Sequence, residues 1–297
     1  MRQVSEDFLL RPNPDDPRLT ETVSGVDEAG QPVQTRVPVE RPLTLYLNGQ
    51  EIVTMMTIGD YPEYLAVGYL HNQRMLLPED VITAIDFDAE IDTVVVRTAR
   101  QTDYEERLRK KTLTSGCAQG TVFGNMMDAL EGVALDAAAR LQTSWIYTLS
   151  RKINLCPSLY LEAGAIHGCV ICEGDRPLLY MEDVGRHNAI DKLAGYMRMH
   201  AMSPEGKVMY TTGRLTSEMV IKTAQMRIPI LISRSGFTAW GVQLARQLGM
   251  TLVGRAKGRR FVVLAGADRL IFDADPGAVP EETRQHGRKG GRAPEAA

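Results

Sequence analysis

The chain has little cysteine for its length, four in 297 residues. That excludes a small disulfide scaffold, and each thiol has to be read singly as core filler or as a reactive group. There is no apolar run long enough to span a bilayer. The first residues, Met1-Arg2-Gln3-Val4-Ser5-Glu6-Asp7, lack the hydrophobic stretch of a signal peptide, so the expected location is cytoplasmic. Net charge is only −3, which points away from nucleic acid and membrane as partners. No internal repeat is present. What remains, 44% hydrophobic and 24% charged, is an ordinary globular composition with room for one large or two moderate domains.

Residues 1–35 are polar and proline-containing and read as a flexible arm. Residues 36–105 read as a small α+β domain. Leu43, Leu45 and Leu47 alternate, as do Ile52, Thr54, Met56 and Ile58, and Asn48-Gly49 between them signals a tight hairpin that needs positive φ. Asp60 and Pro62 open a helix with Leu65, Tyr69 and Leu70 inward, followed by two more strands. Residues 106–140 read as a connector containing a mobile, glycine-bracketed loop around Cys117. From 141 to 273 short apolar strands alternate with helical patterns, which argues for an α/β layered domain. Residues 274–297 turn to Pro, Gly, Arg and Glu and read as a disordered tail.

The densest polar cluster is Glu182-Asp183-Val184-Gly185-Arg186-His187-Asn188-Ala189-Ile190-Asp191-Lys192. It lies where a predicted strand ends and a helix begins, the place where open α/β sheets bind ligands and where helix N–H groups attract anions. A capped helix with solvated charges explains the same residues equally well. Two further junctions repeat the theme: Thr212-Gly213-Arg214 with Ser217, and Ser233-Arg234-Ser235-Gly236. In a parallel sheet all three line one edge, where hydroxyls, backbone N–H groups and arginine forks could hold phosphates. Arg255-Ala256-Lys257-Gly258-Arg259-Arg260, between two apolar strands, is either an anion-binding turn or a charged hairpin tip.

Cys117 has Lys110 and Lys111 nearby in sequence and small residues around it. Such a thiol is a candidate nucleophile or sulfur carrier, or an incidental surface cysteine. His167 with Cys169 and Cys172 offers three zinc-type ligands. The apolar segment and the lack of a second pair favour buried core thiols, so no metal is expected. Cys156 also reads as structural. His167, flanked by glycine, faces either a pocket or the core.

The motif 182–192, Thr212-Gly213-Arg214 with Ser217-Glu218-Met219, Ile228-Pro229-Ile230, Leu252-Val253-Gly254 and the basic turn together resemble the FdhD/NarQ family of formate dehydrogenase accessory sulfurtransferases, in order over roughly residues 40 to 270. The resemblance implies a cytidine-deaminase-like α/β domain joined to a smaller N-terminal α+β domain, as a homodimer. It implies a sulfur carrier that takes persulfide sulfur from a cysteine desulfurase. The acceptor would be the molybdenum cofactor, bis(molybdopterin guanine dinucleotide), before its insertion into formate dehydrogenase. On that resemblance Cys117 carries the sulfur and Arg255 to Arg260 bind the cofactor. His167, Asp183, Gly185, Arg186, His187, Asn188, Arg214, Ser217 and Ser235 would hold its nucleotide ends, and guanine nucleotides could occupy the same site. The chain departs from the family in two places. The loop has one cysteine, Cys117, where many members have Cys-Gly-x-Cys-Gly. Gly164-Ala165-Ile166-His167 stands where Thr-Gly-Gly-x-His is usual. A non-catalytic cofactor chaperone is the main alternative. A deaminase-type zinc hydrolase is the third, though His167-Gly168-Cys169 lacks the catalytic glutamate and the second motif that chemistry needs.

Overall fold

The computed structural model describes residues 8–100, 112–113, 120–121 and 129–279. From residue 8 on, the stretch expected to be a loose arm is built into the fold; residues 1–7 lie outside the described residues. The amides of Leu9 and Leu10 donate to the Leu178 carbonyl at 2.8 and 3.3 Å, and Tyr180 N donates to Leu10 O at 2.9 Å. Strands β1 (Thr20–Val26) and β2 (Pro32–Pro38) then pair as an antiparallel hairpin. Its side chains are mostly exposed, so backbone pairing carries it and no apolar alternation announces it. Arg36 pins it by donating to Pro14 O at 2.7 Å and to Glu162 at 2.6 Å.

Strands β3 (Arg41–Leu47) and β4 (Gln50–Thr57) form the expected hairpin. Asn48 takes the positive φ, 54°, and the turn is stitched down when Thr98 N donates to Asn48 Oδ1 at 2.9 Å. Helix α1 (Pro62–Asn72) follows, then β5 (Ile82–Asp88) and β6 (Thr93–Thr98), giving a four-stranded sheet in the order β4-β3-β6-β5. Leu45, Leu47, Met55, Val94 and Val96 from the sheet close a core with Leu65, Tyr69 and Leu70 of α1.

Residues 112–113 (β7) pair antiparallel with residues 120–121 (β8). Cys117 lies in the sequence between them, outside the described residues, as does most of the expected connector. The chain resumes through β9 (Leu141–Gln142), α2 (Thr143–Leu155) and the single turn α3 (Leu159–Glu162). Next come β10 (His167–Glu173), β11 (Arg176–Asp183), α4 (Arg186–Met199), β12 (Lys207–Thr211) and α5 (Ser217–Gln225). Then follow β13 (Ile230–Ser233), α6 (Ala239–Gln247), β14 (Thr251–Lys257), β15 (Arg260–Ala265) and β16 (Leu270–Ile271).

Six of these strands form one mixed sheet, β11-β10-β12-β13-β14-β15. β12, β13 and β14 run parallel, and β10 is antiparallel to both its neighbours. Strand alternation splits the core in two. Cys169, Ile171, Met181, Met209, Leu231 and Leu252 face the helices α4, α5 and α6. Val170, Cys172, Tyr180, Val208, Ile232 and Val253 face α2 through Ile146, Leu149 and Ile153. The structure is a mixed α/β fold with several sheets.

The first part of the expected tail is described and is held in place. Asp273 accepts from Thr143 Oγ1 and Ser144 N, both at 3.0 Å, and so satisfies the first turn of α2. A short helical turn follows at Pro276–Ala278; residues 280–297 lie outside the described residues.

The four-stranded sheet meets the rest of the molecule through α1 and α4, and glycine makes that contact possible. A Cβ added to Gly68 would stand 1.7 Å from the Asp191 carbonyl oxygen, and one added to Gly195 would stand 1.9 Å from the Tyr64 carbonyl oxygen. The two helix backbones therefore touch with no side chain between them.

Candidate anion cleft and its buried support

The strand directions bring the three predicted junctions to one edge of the six-stranded sheet. Asp183 ends β11, Thr211 ends β12 and Ser233 ends β13, while His167 starts the antiparallel β10 opposite Asp183. The loops are tied together: Gly168 N donates to Thr212 Oγ1 at 2.9 Å, Ser233 Oγ to Gly213 O at 2.6 Å, and Leu215 N to Gly236 O at 2.9 Å.

The central motif is divided between two tasks. Asp183 and Asn188, expected at a ligand, are used in the interior. Asp183 has no exposed surface; it accepts from Thr57 Oγ1 at 2.5 Å and from Asn188 Nδ2 at 3.0 Å, and lies 2.6 Å from Lys192 Nζ. Asn188 Nδ2 also donates to Met56 O at 2.7 Å. Lys192 pairs with Asp60 as well and is fully buried. Burial works against its charge, but Asp183 and Asp60 more than offset that and hold the ammonium above its usual pKa. A second buried pair, Lys222 to Asp191 at 2.6 Å, is completed by Asn72 Nδ2 donating to Asp191 at 2.6 Å. Thr57, Asp60 and Asn72 come from the N-terminal unit. These charges are not solvated helix caps; they pair across the interior and lock the two halves of the chain together. Gly185 adopts an ordinary extended φ of −99° as the N-cap of α4.

The other half of the motif faces the sheet edge. Arg186, the first residue of α4, passes so close to Gly213 that a Cβ there would meet its Cδ at 2.9 Å. His187 Nε2 lies 3.1 Å from Glu218 Oε2 on α5. Burial, then the charges of Lys222, Arg186, His167 and Arg214, push its pKa well below the usual histidine value. His167 is half-buried and is lowered by burial and by Arg186 and Arg214. Both shifts favour the neutral imidazole. Arg214 is exposed, and Ser217 opens α5 behind Thr216, whose buried hydroxyl has no hydrogen-bond partner among the described residues. Ala165 needs no positive φ, because Gly164 takes it at 77°.

The basic turn is the tip of the β14–β15 hairpin. With Arg234 it surrounds a cleft of about 430 Å³ lined by Arg234, Arg255, Lys257, Arg260, Phe261 and Val262. Arg255 is held in the left-handed region, φ 55°, by a bulge, and its amide donates to Ser235 O at 2.7 Å, which ties the hairpin to the β13 loop. The remaining residues of the predicted set stand elsewhere. Ala256 packs in the core, Gly258 supplies a positive φ of 55° to the turn, and Arg259 donates to Val279 O at 2.5 Å. Four cations around one cleft, with no carboxylate among the described lining residues, make it a candidate anion site. The β13 junction is legible in the sequence, but nothing local says that Arg234 meets a hairpin some twenty residues on.

The remaining cysteines are settled by geometry. Cys169 and Cys172 point to opposite faces of the sheet, in different cores, so they cannot share a metal or a disulfide. Burial raises the Cys169 thiol to about 12 and that of Cys156 to about 11, and raises Cys172 further. None of the three is a thiolate at neutral pH.

Comparison with known proteins agrees with this layout. The model of the FdhD/NarQ family matches residues 38–271. The chain is 31% identical over 248 residues to "Sulfur carrier protein FdhD" of Listeria monocytogenes, covering 82% of this chain and 95% of that one. It is 29% identical over 236 residues to the protein of the same name from Wolinella succinogenes, covering 79% and 82%. A crystal structure of a protein assigned as a formate dehydrogenase accessory protein from Desulfotalea psychrophila superposes with a TM-score of 0.69 at 27% identity, over 85% of this chain and 99% of that one. The family match spans the four-stranded sheet, the buried lock, the sheet edge and the basic hairpin together, and the chain belongs to the FdhD/NarQ family.

Proposed function

We propose that this chain is a sulfur carrier for formate dehydrogenase maturation. In this reading the Cys117 thiolate attacks the persulfide of a cysteine desulfurase: a new S–S bond forms at Cys117, and the donor cysteine leaves as a thiolate. The outer sulfur then passes to the bis(molybdopterin guanine dinucleotide) molybdenum cofactor, held as a substrate before its delivery to formate dehydrogenase: the S–S bond breaks, Cys117 leaves as the thiolate, and a reduced molybdenum centre of that substrate would supply the two electrons that take the sulfur to sulfide. The observation that carries the reading is the cleft of Arg234, Arg255, Lys257 and Arg260 at the sheet edge. A dinucleotide cofactor brings several phosphates, and such a cleft suits them. Arg186, Arg214, His167 and His187 lie along the same edge, where the two guanidinium groups add to the positive charge.

The sheet order, with helices after β11, β12 and β13, supports a cytidine-deaminase-like layering in this proposal. A cytoplasmic homodimer, served by a desulfurase and serving a formate dehydrogenase, belongs to it as well. Among the described residues no helix is long and apolar enough to cross a membrane. One thiol suffices for the carrier step, so a single loop cysteine is compatible with it. The test is sulfur loading: the wild type gains one sulfur from a desulfurase and cysteine, and Cys117→Ala gains none. Full activation of formate dehydrogenase by Cys117→Ala would replace this reading with that of a cofactor chaperone.

A further inference from the structure

Arg234 is the cleft cation that does not come from the β14–β15 hairpin. It leaves the end of β13 and is held by groups from α2 and α3. Its Nη1 donates to Asn154 Oδ1 at 2.7 Å, and its guanidinium lies over the Tyr160 ring, 5.5 Å from the centroid. Stacking on an aromatic face together with a directed hydrogen bond fixes a planar guanidinium, which neither contact would do for a lysine ammonium.

Tyr160 itself needs a support. It sits in α3, a single turn of four residues, far too short to be stable alone. Glu182 provides the support from β11. Its Oε2 accepts from Leu159 N at 2.8 Å and its Oε1 from Tyr160 N at 3.0 Å. Ser158 caps the same turn, its Oγ accepting from Leu161 N at 3.4 Å. The Glu182 carbonyl accepts from Lys192 Nζ at 2.9 Å, so this residue is joined to the Asp60–Lys192–Asp183 lock. The path from the buried lock to the cleft wall is continuous: Lys192, Glu182, the first turn of α3, Tyr160, Arg234.

We infer that Glu182, Tyr160 and Asn154 are positioning residues of the anion cleft. Glu182 clamps α3, α3 presents the Tyr160 ring, and the ring with Asn154 sets the Arg234 guanidinium for the phosphates of a nucleoside diphosphate group. The inference rests on the phosphate-binding reading of the cleft given above. It assigns the first residue of the 182–192 motif an indirect part in ligand binding. It also makes Arg234 the pre-ordered cation of the four, fixed before a ligand arrives.

The experiment is calorimetric titration of the full chain with GDP and, separately, with inorganic pyrophosphate. The proteins are the wild type, Tyr160→Phe, Tyr160→Leu, Asn154→Ala and Arg234→Lys, each with a thermal unfolding curve. Tyr160→Phe keeps the ring and should bind both probes within about twofold of wild type. Tyr160→Leu, Asn154→Ala and Arg234→Lys should weaken both by about three- to tenfold. Their salt dependence should stay that of the wild type, because the charge count is unchanged. If Tyr160→Leu unfolds early, Asn154→Ala and Arg234→Lys decide. Wild-type affinity in Asn154→Ala and Arg234→Lys overturns the inference and leaves the cleft reading standing. A wild type that binds neither probe overturns the cleft reading, and the inference with it.

Discussion

Gly68 of α1 lies directly on the backbone of Asp191 in α4: a methyl group at Gly68 would sit 1.7 Å from the Asp191 carbonyl oxygen. No rotamer change can relieve a clash with backbone, so Gly68→Ala must push the two helices apart and stretch the Asn72–Asp191–Lys222 network beside them. We expect a loss of about 3 kcal/mol or more, at the upper end for an overpacked core, and the same for Gly195→Ala. Gly132→Ala, where a Cβ meets nothing within 4 Å among the described residues, should change stability by less than about 0.5 kcal/mol. Urea denaturation of the three variants checks this, and equal midpoints for all three would contradict the packing described.

Lys192→Met removes the only cation placed between Asp60 and Asp183 among the described residues. Two buried carboxylates are then left to repel each other, at a cost of about 3–5 kcal/mol. Adding Asp183→Asn to that background should restore part of the loss, since an amide can still accept from Thr57 without a charge. Denaturation midpoints of the single and double variants measure the coupling; additive losses would show that the ion cluster is not a unit.

Glu182 sets a pH dependence. Burial raises its pKa from 4.5 to about 7, although the Tyr160 and Leu159 amides pull the other way. The folded state therefore binds this proton more tightly than the unfolded chain does. The stability that the proton contributes is full below about pH 4.5 and is lost as pH rises through about 7, a change of about 3 kcal/mol. Glu182→Gln should flatten that slope between pH 5 and 8. An unchanged slope in urea titrations would remove Glu182 as its source.

The thiols should separate cleanly. Cys156, Cys169 and Cys172 are buried with raised pKa values, so iodoacetamide at pH 7.5 should modify the native protein once, at Cys117. In denaturant all four cysteines should react. Peptide mapping reads the site; modification of Cys169 or Cys172 at the rate of Cys117 in the native protein would contradict their burial.

Much of this was legible in the sequence where a local pattern meets a local structure. The alternation of Leu43, Leu45 and Leu47, the Asn48-Gly49 turn and the α/β alternation after residue 141 each have a periodic cause, and the strand-end junctions follow from it. What the sequence hides is long range. Asp183 and Asn188 read as ligand-facing and Asp191 as a helix-end charge because they are polar and clustered; their partners Thr57, Met56 and Asn72 lie more than a hundred residues away. The β1–β2 hairpin is invisible to hydrophobic pattern because its side chains are exposed. Arg234 joins the basic turn only because β13 and β14 are neighbours in the sheet. The motif at 182–192 reads as one site, and the fold splits it between a lock and an edge.

Sulfur loading followed by intact-mass spectrometry tests the central claim most directly. Incubation with a cysteine desulfurase and cysteine should add one sulfur to the wild type and to Cys169→Ser and Cys172→Ser, and none to Cys117→Ala. No gain in the wild type, or a gain that survives Cys117→Ala, would contradict the account.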